Sequence, residues 1–219
     1  MNQKWSELNR IMQSQLRKRE TYREGMAVLY SLRNQLMQVL TFFRDDLTKA
    51  DFSAMPFANA SGLHHSTVAY SVWHIFRIED ITAHTLTAND EQVFFSGGYQ
   101  KRIGSPIITT GNELFGQQIA DFSAQLDIDA LYDYASAVKE STERILNGLT
   151  YEMLKHRIPP ERRAQLLSLN VVSQEESAVW LIDYWCKKQI LGLIQMPFSR
   201  HWIMHTEACL RIRNKILNK

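Results

Sequence analysis

The stretch PFSRHWIMHTEACLRIRNKILNK, residues 197–219, sets two histidines within an apolar helical pattern. At about 100° per residue, Phe198, His201, His205, Cys209, Ile212 and Ile216 fall on one stripe of an α-helix, the pattern of a core-facing surface. Two imidazoles therefore stand where apolar side chains are expected. A rise of 1.5 Å per residue sets them about 6 Å apart along the axis and about 40° apart around it, within reach of one ion. Residue 202 is Trp, so this is not the zinc-peptidase helix, which needs a glutamate base between its histidines. Pro197 in the first helical turn puts His201 near the positive end of the helix dipole, which favours the neutral, metal-binding imidazole.

Toward the N-terminus, Tyr22, Met26, Leu29, Leu32, Leu36, Leu40, Phe43 and Leu47 recur in steps of three and four, so the spacing predicts a first core helix over 22–48. Residues 1–20 are polar with a thin apolar edge through Trp5, Leu8, Ile11, Met12 and Leu16. They read as an N-terminal helical extension, either a short helix against the body or the start of a longer one. The run DFSAMPFANASGLHH, residues 51–65, is a loop, and Ser66 or Thr67 can cap the next helix. This second core helix, over 67–86, is apolar on more than one side, which implies deep burial. Residues 88–111 hold Gly97, Gly98, Gly104, Pro106 and Gly111 and form a crossing segment. After it comes a short helix, its buried side marked by Phe115, Ile119, Phe122 and Leu126. Asp127 or Asp129 can cap a third core helix over 128–148, which ends at Gly148. The apolar run AVWLIDYWCKKQILGLI, within 178–194, is either buried on several sides or part of a subunit interface. The last core helix spans 197–217. No strand alternation or internal repeat competes with this pattern. Four long amphipathic helices joined by two connections of about forty residues imply an all-α, single-domain four-helix bundle over residues 1–219, with long crossover connections.

His74, in VWHIFRIED, lies inside the second helix. Alone it reads as either a hydrogen-bonded core histidine or a ligand. Joined to His201 and His205 it makes a three-histidine set with open coordination positions, the arrangement of catalytic rather than structural metals. Of Arg77, Glu79 and Asp80, at least one is expected to face solvent, while Glu79 or Asp80 can orient a ligand imidazole. His64 and His65 are either pocket-mouth residues or solvated surface. Cys209, one turn after His205, is either a fourth ligand or a small core residue, with the core reading preferred. Arg211, Arg213, Lys215 and Lys219 suit a helix C-terminus.

The Trp-His-Ile at residues 73–75, taken with His201-x-x-x-His205, resembles the DinB-like (DNA-damage-inducible, YfiT-like) four-helix bundles, over roughly residues 22–217. The resemblance implies that His74, His201 and His205 hold a divalent metal, zinc or nickel, with water completing the shell. In that family the last histidine is commonly followed by a Gly-Gln pair, whereas here Thr206, Glu207 and Ala208 follow it. Some relatives transfer a low-molecular-weight thiol, so the resemblance implies a thiol S-transferase acting on a small-molecule electrophile. A metal-dependent hydrolase and a non-enzymatic, metal-stabilised binding or oligomerisation protein are the alternatives.

A net charge of +2, from 25 basic and 23 acidic residues dispersed along the chain, gives no electrostatic case for nucleic acid. No stretch approaches the eighteen apolar residues of a membrane helix, and the start lacks the apolar core of a signal peptide, so a cytoplasmic protein is expected. Cys186 and Cys209 suggest no disulfide framework. The apolar 178–194 region leads us to expect a homodimer.

Overall fold

The computed structural model describes residues 2–57, 59 and 62–218 of the 219. These residues are all-helical, with no strand among them beyond an isolated bridge between Arg157 and Gln189. Among the described residues no helix is long and apolar enough to cross a membrane.

α1 (Gln3–Gln15) is capped by the Asn2 side chain, which accepts from the Lys4 and Trp5 amides. It turns back through a 3₁₀ turn at Arg19–Thr21 and packs on α2 (Tyr22–Asp46). Gly25 allows the close approach, because a Cβ there would meet Leu16 Cδ2 at 2.9 Å. The terminal segment is no loose extension: Trp5, Met12 and Leu16 are buried in the body. Along α2 the expected stripe from Met26 to Phe43 is buried and Tyr22 is half-buried.

The single turn α3 (Lys49–Phe52) leads to α4 (Val68–Asp80), which Thr67 caps by accepting from the Tyr70 amide. Every residue of α4 is buried, and the chain continues as a π-helical segment, Ile81–Ala88, before a left-handed Asn89 ends it. The crossing segment carries α5 (Val93–Ser96) and α6 (Tyr99–Ile103). In α7 (Gln117–Gln125) Ile119 and Phe122 are buried as expected, but Phe115 precedes the helix and is 72% exposed. Asp127, rather than Asp129, caps α8 (Ile128–Asn147) by accepting from the Ala130 amide.

The second connection contains α9 (Glu161–Leu169), α10 (Glu176–Cys186) and α11 (Ile190–Gln195). Between the two alternatives for this apolar run, burial accounts for most of it: Leu181, Ile182, Trp185, Leu193 and Ile194 are inside, and Trp180 is the large residue left half-exposed. A π turn, Met196–Arg200, then joins α11 to α12 (His201–Leu217). The last helix therefore does not begin freely at Pro197. The His201 amide already donates to the Met196 carbonyl, so the dipole argument for a neutral His201 loses its free helix end.

α12 packs against both α4 and α2, and α4 also packs against α8. The apolar interior forms two clusters. One takes Val68–Phe76 of α4 with Trp202–Ile212 of α12, and the other takes Ile78–Leu86 with Phe198 and the α10–α11 region. His74, Glu79, His201 and His205 lie along the seam between them.

Candidate metal centre

Three imidazoles meet at this seam. α4 supplies His74, and the first two turns of α12 supply His201 and His205. Ring centroids are 5.0 Å apart for His74 and His201, 4.8 Å for His74 and His205, and 4.5 Å for His201 and His205. One ring nitrogen from each lies within 4.8 Å of the other two, and no further His, Cys, Asp or Glu among the described residues joins the group. A tetrahedral zinc with bonds of 2.0–2.1 Å separates its ligands by about 3.3 Å, so modest ring rotations close the set around an ion.

The second contacts of each ring arise from its surroundings. His74 Nδ1 pairs with the Thr110 carbonyl at 2.8 Å, which makes Nδ1 the protonated nitrogen and leaves Nε2 free as a donor to metal. Tyr70 stacks on the same ring at 5.4 Å and 12°, and its hydroxyl donates to the Gly111 carbonyl. The Nδ1 atoms of His201 and His205 are buried with no hydrogen-bond partner, an unfavourable state for a polar atom unless something else engages the ring. Burial pushes the His74 pKa down to about 4, and the Thr110 contact opposes that only in part. Burial, and then the neighbouring histidines, hold His205 and His201 well below the ordinary histidine value. The set is thus three neutral imidazoles, the form that binds a divalent ion. Desolvation, not the helix start, keeps them so.

The carboxylates expected beside the site have other partners. Arg77, Glu79 and Asp80 are all fully buried, so none of them faces solvent. Glu79 takes a two-pronged contact from Arg33 of α2 and accepts from Trp202 Nε1 at 2.7 Å. Asp80 accepts from the Val93 and Phe94 amides and from the Tyr134 hydroxyl. Neither is bonded to a histidine of the triad. The group that orients His74 is the Thr110 backbone carbonyl, which no side-chain identity announces.

Cys209 is fully buried and outside the histidine group, where a small core residue would sit. His64 is partly buried and accepts from Arg211, and Arg213 pairs with Asp46; of the basic residues assigned to the helix C-terminus, Lys215 lies in the last turn of α12. Leu63 lines the cavity beside the triad, whereas His64 and His65 do not.

The triad forms the floor of a cavity of about 270 Å³. Its walls are Trp180, Leu181, Tyr184 and Trp185 of α10, with Met196 from the π turn and Met204 from α12. Asn112 is the polar residue beside the histidines, and its Oδ1 is buried without a partner. Sequence reasoning missed this wall, although the all-round apolar character of residues 178–194 was its signal. A π turn directly before a candidate ligand matches the frequent placement of such turns at functional sites.

No known family model matches the chain, and no curated protein sequence matches it. The fold is similar to a crystal structure described as the conserved protein of a locus from Enterococcus faecalis. The two are 15% identical, with a TM-score of 0.57, over 85% of this chain and 94% of that one. At such identity the likeness concerns the fold alone.

Proposed function

We propose that the protein is a divalent-metal-dependent enzyme of the DinB-like kind, built as a four-helix bundle of α2, α4, α8 and α12 with long crossover connections. The observation that carries the reading is the approach of three neutral, buried ring nitrogens to within 4.8 Å of one another at the floor of an open cavity. Zinc or nickel suits an all-imidazole donor set. A bound ion there would supply Lewis acidity and hold a thiol as thiolate at neutral pH. His74 is oriented for this by Thr110, and the aromatic wall gives the cavity a largely apolar lining.

Among the enzymatic readings, transfer of a thiol is preferred to hydrolysis. No Asp or Glu is among the described residues lining the cavity, so the chain offers no carboxylate base to a water molecule, whereas a thiol brings its own nucleophile.

The test is elemental analysis of purified wild-type, His74→Ala and His205→Ala proteins. About one equivalent of metal in wild type, with at least roughly 100-fold weaker zinc binding in each variant, is expected from loss of one of three ligands. Unchanged metal content in both variants would defeat the proposal. Metal-dependent consumption of a chloro-aromatic or an epoxide with a small thiol then separates transferase from binding protein.

A further inference from the structure

A divalent ion on three neutral imidazoles carries an uncompensated charge of +2. In most buried metal sites a carboxylate offsets part of this, because an isolated buried charge is costly. Here the two nearby carboxylates are committed: Glu79 to Arg33 and Trp202, and Asp80 to two backbone amides and Tyr134. Glu113, next to Asn112, accepts from Thr109 through Oε1; its Oε2 is buried without a partner, but the residue does not line the cavity. The compensating charge must therefore come from a metal-bound hydroxide or from the anionic ligand that displaces it. The walls constrain the rest of that ligand, since no Lys, Arg, Asp or Glu is among the described residues lining the cavity. A second charge on the bound molecule would face tryptophan, leucine and methionine with no charged lining residue to pair it. Asn112, whose Oδ1 is buried without a partner, offers an acceptor for an N–H or O–H.

We propose that the cavity takes a small monoanionic ligand, with one anionic donor atom on an uncharged apolar or aromatic body, rather than a thiol whose body carries carboxylates or an ammonium group. This rests on the metal reading of the triad and narrows it. The volume of about 270 Å³ lies just below the usual range for drug-sized ligands, which suits a single ring with a short arm.

Zinc uptake by the full-length wild-type chain is measured first. Calorimetric titration of the zinc-loaded protein then compares 2-phenylethanethiol, 3-phenylpropanoate, glutathione, 2-mercaptoethanol and ethylbenzene. At least one of the first two is expected to bind tenfold or more tightly than glutathione or 2-mercaptoethanol, and to lose that advantage in metal-free protein; which one does so identifies thiolate or carboxylate as the head. With cobalt(II) in place of zinc, a thiolate head adds a sulfur-to-metal charge-transfer band in the near ultraviolet. Ethylbenzene, which has the body without the head, is expected to bind weakly and alike with and without metal. Glutathione binding as tightly as both phenyl compounds, or ethylbenzene matching them, overturns the inference while leaving the metal site intact. Failure to take up zinc removes the metal reading itself, and this inference with it.

Discussion

Arg33 and Glu79, on α2 and α4 and 46 residues apart, form a two-pronged ion pair at 2.8 and 2.9 Å in which neither side chain is exposed. Arg33 also donates to Glu143 of α8 and to the Phe198 carbonyl beside α12, and its guanidinium lies 4.6 Å from the Trp202 ring. One side chain thus joins α2, α4, α8 and α12. Removing one partner of a buried pair leaves a bare charge, which typically costs 3–5 kcal/mol. Arg33→Met is expected to destabilise by about that much in denaturant unfolding. Adding Glu79→Gln removes the stranded charge while keeping an acceptor for Trp202, so the double variant should be more stable than Arg33→Met alone. If the double variant is instead the less stable of the two, the pair is not the organising contact.

The same pair shows where sequence reading stops. His74, His201 and His205 were legible because a polar residue on an apolar helical stripe stands out locally. Arg33 sits beside the α2 stripe, between Leu32 and Leu36, and looks like ordinary solvated surface. Its burial depends on Glu79, a partner that no local pattern connects to it. Assigning one of Arg77, Glu79 and Asp80 to solvent failed for the same reason, since charged residues are buried only where long-range partners exist. The π segments were hidden too, because one additional residue in a turn leaves apolar periodicity almost unchanged over so short a run.

Gly111 ties backbone geometry to the metal site. It adopts φ +78°, and a Cβ there would meet Tyr70 Cε2 at 2.9 Å. Tyr70 stacks on His74, and the adjacent Thr110 carbonyl holds His74 Nδ1. Gly111→Ala therefore combines a left-handed strain of about 1–2 kcal/mol with displacement of the groups that orient a ligand. Zinc affinity is expected to fall about 10- to 100-fold, the usual effect of disturbing such support. Gly98→Ala is the control, with φ +61° and nothing within 4 Å, so it bears the strain without the contact. Equal zinc affinity in the two variants would separate Gly111 from the site.

Cys209 is expected to be silent toward metal and toward thiol reagents. Burial raises its pKa to about 12, so almost no thiolate, the reactive form, is present at pH 8. Cys186 is only partly buried. Burial raises the Cys186 thiol pKa as well, so one thiol should titrate with a disulfide reagent in the native protein, more slowly than in denaturant, where two should react, and Cys209→Ala should retain wild-type zinc affinity within about twofold. A large drop in affinity would restore the fourth-ligand reading.

The depressed histidine pKa values make the stability of the metal-free protein depend on pH with a definite sign. An unfolded His74 takes up a proton near pH 6.5, whereas the folded one resists until about pH 4. Between these values the unfolded chain holds more protons, so stability is fully present above pH 6.5 and declines as pH falls through the window. At 1.36 kcal/mol per unit, His74 alone accounts for a loss of about 3 kcal/mol. His201 and His205 are lowered by the same burial and extend the decline to more acid pH. Urea midpoints measured at pH 7.5 and 4.5 should differ accordingly, and His74→Leu should show a smaller difference, which separates the triad from the carboxylates that also titrate. Zinc at pH 7.5 raises the midpoint further because it binds only the folded, unprotonated set, and that increment should vanish at pH 4.5 as protons compete for the nitrogens. A zinc increment that is the same at both pH values would show that the ion is held elsewhere than on the imidazoles.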